Sequence, residues 1–168
     1  MEFQTINGQK LCPYAKRRLG WKRFGKNGCG ILAAYNALGL LGAPKDFESV
    51  FGHFQKWYRT HIFGILPYRI ARFLRKNRIS CRKEKDLAQL SADLKEGGAA
   101  ILTYWNRTWL GKIPNIFGGA HTVAVHFNGD YEVFNRFSNR KKIYRFKRLS
   151  EPLEGRSLMR AYYLERMD

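Results

Sequence analysis

A chain of 168 residues with 45% apolar and 15% aromatic residues can bury a sizeable core, which excludes disorder throughout. The 31 Lys and Arg against 13 Asp and Glu give a formal charge of +18, a field that favours anionic partners and predicts non-specific polyanion binding. No nucleic-acid-binding motif accompanies that charge, so a specific nucleic-acid reader is not indicated.

The first residues carry Glu2, Gln4, Asn7 and Lys10, which break any apolar segment of a signal peptide. The longest apolar run, 31–43, is too short to span a bilayer. Cys12, Cys29 and Cys81 leave one thiol unpaired in any disulfide scheme and match no zinc spacing. Together these predict one cytoplasmic domain over 1–168, with reduced thiols, no transmembrane segment, no metal and no cofactor.

In chain order, residues 1–25 read as irregular, punctuated by Pro13, Gly20 and Gly25. A helix is expected from Cys29 to about Gly39–Gly42, with Ile31, Leu32, Tyr35 and Leu38 at helical spacing. Asp46 suits the cap of a second helix, whose stripe is Phe47, Val50, Phe51, Phe54 and Tyr58. Pro67 suits the first turn of a third, with Ile70, Phe73 and Leu74 inward. A short strand at 78–82 precedes an amphipathic helix over 86–96 closed by Gly97.

After Gly98 the pattern changes to strands. "AAILTYW" (99–105) reads as a central strand. "HTVAVHF" (121–127) and "YEVFN" (131–135) alternate around Asn128-Gly129. Further strands are expected near 142–147 and 158–165. Helices followed by an antiparallel sheet argue an α+β fold.

The stretch "KNGCGILAAYNALGLLG" (26–42) places Cys29 where a basic segment becomes an apolar helix. A thiol at a helix N-terminus is expected to have a lowered pKa and to alkylate faster than Cys12 or Cys81, which have no such setting. A cysteine hydrolase also needs an imidazole and a group that orients it. His121 follows "FGG" (117–119) at the opening of a strand, and Asn135 ends the next. His53 and His61 lie in the helical half without a strand setting. Trp105 and Trp109 flank the loop before His121, where they either wall a substrate groove or belong to the core, and Gly119 is a further expected substrate-binding residue. The turn sets the register. A strict Asn-Gly turn puts His121 across from Arg136. A three-residue loop of Phe127, Asn128 and Gly129, with Gly129 left-handed, puts His121 directly across from Asn135. The second register is the expected one.

"NGCGILAAYNAL", "AAILTYW" and "GGAHTVAVHFNGDYEVFN", in this order, resemble the papain-like cysteine peptidases, closest to the bacteriocin-leader (double-glycine) peptidase branch and its stand-alone relatives. The resemblance implies a papain-like α+β fold, with Cys29 as nucleophile, His121 as general base and acid, and Asn135 as orienter. That family usually carries a Gln six residues before the nucleophile as an oxyanion donor. Here Arg23 holds the position, and Asn27 or Gln9 is the expected replacement. The implied activity is thiol-dependent hydrolysis of amide bonds in a peptide or protein, acidic peptides being favoured by charge. The same triad also serves deamidases, acyltransferases and transglutaminase-like enzymes. The alternative reading is a catalytically degenerate module whose basic surface binds an anionic partner.

Overall fold

The computed structural model describes residues 3–56, 64–106, 108–109, 113–114 and 119–167, with only the main chain at 108–109 and 113–114. The fold is α+β, built on a six-stranded antiparallel sheet. A two-residue hairpin, β1 (Arg18–Leu19) and β2 (Lys22–Arg23), comes first and leads into α1 (Phe24–Asn27). The sequence reading has this stretch as irregular, because strands and helices of two to four residues have no period to detect.

Helix α2 (Cys29–Leu40) forms as expected and buries nine of its twelve residues, so it is a core helix. α3 (Phe47–Gln55) is capped by Asp46, whose carboxylate accepts from Ser49 N at 2.8 Å. Tyr58 and His61 lie outside the described residues. α4 (Pro67–Arg75) starts on its proline and buries Ile70, Ala71, Phe73 and Leu74.

β3 (Ile79–Glu84) runs two residues beyond the expected strand. α5 (Leu87–Glu96) is capped by Asp86, which accepts from Ala88 N at 2.8 Å. β4 (Ala99–Trp105) is buried almost end to end. A small ladder joins β5 (Thr108–Trp109) to β6 (Ile113–Pro114). β7 (Ala120–Asn128), β8 (Asp130–Phe134), β9 (Tyr144–Phe146) and β10 (Ser157–Arg166) complete the chain.

The sheet order is β3-β10-β4-β7-β8-β9, so the last strand inserts between β3 and β4. Alternation along the strands divides the interior in two. Ala99, Ile101, Tyr162 and Leu164 face α2, α3 and α4. Ala100, Leu102, Tyr104, Val123, Val125, Tyr131 and Val133 pack against Leu90 and Leu94 of α5. Among the described residues, no helix is long and apolar enough to cross a membrane.

The β7–β8 register corrects the sequence expectation. Ala124 pairs with Phe134, Val125 with Val133 and Phe127 with Tyr131, two residues away from the pairing that sets His121 across from Asn135. Gly129 alone turns the chain, with φ of 75°, so pairing extends to Asn128 and Asp130. The shift is even, so Val123, Val125, Tyr131 and Val133 still share a face.

Candidate active site

The start of α2 packs against β7 on one side, and Gly30 lets it close on Ile65 and on Ile70 of α4. A Cβ there would lie 2.9 Å from Ile65 Cβ and 3.0 Å from Ile70 Cδ1. The Cys-Gly pair thus has a packing reason of its own. The Cys29 thiol, 8% exposed, is surrounded by the backbone N–H groups of Thr122, Gly30 and Cys29 and by the Thr122 hydroxyl, all of which favour the thiolate. Burial outweighs them and pushes the thiol above its ordinary pKa. This corrects the expectation of a lowered value: the helix terminus acts on a group shut away from water.

His121 is 7% exposed. Its Nε2 lies 2.7 Å from the Asn135 backbone carbonyl, and a carbonyl only accepts, so Nε2 carries the proton and Nδ1 keeps its lone pair. Burial holds the ring pKa at about 4; the Asn135 carbonyl pulls it upward, and the charges of Arg136 and Arg156 add to the lowering. The imidazole is therefore neutral, in a tautomer with one free basic nitrogen. No hydrogen bond joins Cys29 Sγ to the ring among the described residues. Thr122 pairs across the sheet with Thr103, their hydroxyls 3.1 Å apart, while His121 pairs with Tyr104. The thiol meets the main chain of the His121–Thr122 step, and the ring turns toward Tyr104, centroids 5.9 Å apart.

Asn135 takes part through its main chain, which corrects its expected role. It has φ of 57°, which turns the residue out of β8. Its side-chain Oδ1 accepts from Gly8 N and Gln9 N at 3.1 and 3.2 Å, and its Nδ2 donates to Gln9 Oε1 at 3.1 Å. Asn7 Oδ1 accepts from Asn135 N at 2.6 Å. Gln9 Nε2 donates to Gly25 O at 3.1 Å. Gln9 is thus a buried clasp between the N-terminal arm, the end of β8 and α1, which corrects its expected role as oxyanion donor. Asn27 is buried in α1. Arg23 is exposed on β2.

Trp105 is half-buried at the end of β4, opposite Ala120. Gly119 takes φ of 72°, and its carbonyl accepts from Asn106 N at 3.0 Å. The Trp109 side chain and residues 117–118 lie outside the described residues. No group of His, Cys, Asp and Glu able to hold a metal occurs among the described residues.

The residues that sequence reasoning missed are Thr122, Tyr104, Arg136 and Arg156. Arg136 Nη1 donates to Tyr104 Oη at 3.1 Å, and both guanidiniums lie over the Tyr104 ring, 5.6 and 5.7 Å from its centroid. Only the strand order brings residues 104, 121, 136 and 156 together, so no local motif signals them.

The basic surface is uneven. Arg145 pairs with Glu132 at 2.9 Å, Arg148 with Glu151 at 3.4 Å, and Arg82 with Asp93. By contrast, Lys16, Arg18, Lys22, Arg23 and Lys26 gather around Trp21, 82% exposed, and make no ion pair among the described residues. Comparison with protein-family models and with curated proteins finds no match to this chain.

Proposed function

We propose that this protein is a papain-like thiol hydrolase of amide bonds, with Cys29 as nucleophile and His121 as general base and acid. The observation that carries the reading is the packing of the α2 N-terminus onto the strand step that holds His121, whose Nδ1 is left free by the Asn135 carbonyl. The thiol turns from the Thr122 N–H toward Nδ1, which takes its proton. The sulfur attacks the amide carbon and forms a C–S bond. Backbone N–H groups of Cys29, Gly30 and Thr122 are the donors nearest the developing oxyanion, in place of a glutamine side chain. The C–N bond breaks as the imidazolium protonates the leaving amine. Water, deprotonated by His121, then cleaves the thioester and restores the thiol.

The test is hydrolysis of a mixed peptide library followed by mass spectrometry. Wild type is expected to cleave, and Cys29→Ala and His121→Gln to lose cleavage. Equal turnover by Cys29→Ala refutes the reading.

A second reading, an inactive module that binds an anionic partner, is favoured by the unpaired basic group around Trp21 and by the buried thiol. It expects polyanion binding and no Cys29-dependent turnover.

A further inference from the structure

Among the described residues, Arg136 and Arg156 are charged groups without counter-charges. Arg136 is 6% exposed, and its Nε is buried with no hydrogen-bond partner among the described residues. The Nε of Arg156 is likewise buried and unpartnered. In both residues the hydrogen bond made is through Nη1, to Tyr104 Oη in one and to Glu154 O at 3.0 Å in the other. The Nε-bearing edge, the one that chelates a carboxylate side-on, makes no hydrogen bond through Nε in either residue among the described residues. No carboxylate pairs with either residue among the described residues. Two guanidiniums held on one tyrosine ring repel each other, and a buried donor left unpaired is costly. Tyr104 Oη already accepts from Arg136, which leaves its own proton to be donated to an acceptor.

We infer that Arg136, Arg156 and the Tyr104 hydroxyl form a carboxylate-binding site beside His121. Its assignment to substrate rests on the hydrolase reading. On that reading the bound carboxylate belongs to the peptide under attack, either an acidic side chain or the free C-terminus close to the scissile amide. An anion there also offsets the two charges that oppose protonation of His121, and so favours the imidazolium that forms when the thiol gives up its proton.

The test is a titration of the protein, followed by NMR of the arginine Nε–Hε signals, with acetate and then inorganic phosphate, against chloride at matched ionic strength. Saturable shifts of Arg136 and Arg156 with acetate are expected. Arg156→Gln and the charge-preserving Arg136→Lys should each weaken binding about tenfold or more. Shifts that stay linear and match those of chloride overturn the site, and saturation by phosphate alone overturns its carboxylate character. Peptides with one acidic side chain and an amidated end, or with a free end and no acidic side chain, then identify the source. The titration reads no turnover. Saturable acetate binding by a protein that cleaves nothing keeps the site and sinks the hydrolase reading, and cleavage without anion binding does the reverse.

Discussion

Lowering the pH should destabilise this protein through His121 in a way that can be isolated. The imidazole is 7% exposed and its pKa is about 4, against about 6.5 for a free imidazole. Between those values the unfolded chain binds a proton that the folded chain refuses, so unfolding free energy falls as pH falls through that window. Above about pH 7 this group contributes no pH dependence. Two and a half units of pKa correspond to about 3 kcal/mol, lost by pH 4. Urea unfolding at pH 7, 5.5 and 4 should show it as the difference between wild type and His121→Gln, since the other titrating groups are common to both. A ring titration by NMR should place the midpoint near 4. Parallel stability profiles for the two proteins, or a midpoint near 6.5, refute the argument that burial and the two arginines hold this ring neutral.

Three further outcomes follow from the same geometry. Asn135→Gly suits the positive φ and keeps the carbonyl that holds His121, but removes the side-chain bonds to Gly8 and Gln9. It should cost about 2 kcal/mol or more in urea unfolding while leaving turnover within about tenfold, where loss of a side-chain orienter costs about 10⁴. Gly30→Ala should destabilise by about 1–3 kcal/mol, measured by thermal or urea unfolding, because its methyl group meets Ile65 and Ile70. Binding of a polyanion such as heparin should weaken steeply between low and physiological salt, and neutralising Lys22, Arg23 and Lys26 together should flatten that dependence.

The helices were legible because their signals are local. Asp46 and Asp86 cap as their residue type demands, Pro67 opens α4, and the apolar run of 99–105 becomes the buried β4. The site was legible only in outline. A helix start at Cys29 and a strand start at His121 are local signals, whereas the adjacency of those two elements is implied in the sequence only by the resemblance. The arrangement around them rests on contacts more than a hundred residues apart in sequence, such as Gln9 to Asn135, which no period records. The β7–β8 register turned on where Gly129 sits in the turn, and a two-residue shift preserves the apolar face, so the hydrophobic pattern could not decide it. The thiol pKa was misread because a helix terminus acts within one turn, whereas burial depends on the whole fold.

The central claim, that Cys29 is a nucleophile served by His121, meets its most direct test in the rates of iodoacetamide labelling at the three cysteines, read by peptide mass spectrometry near neutral pH. Cys12, Cys29 and Cys81 are 7%, 8% and 7% exposed, and burial raises the pKa of all three thiols, so access and burial alone give Cys29 no advantage. The account predicts that Cys29 labels faster than the other two, and that His121→Gln removes the difference while the rates at Cys12 and Cys81 stay as they were. Uniform slow labelling of all three, or a Cys29 rate unchanged in His121→Gln, contradicts it.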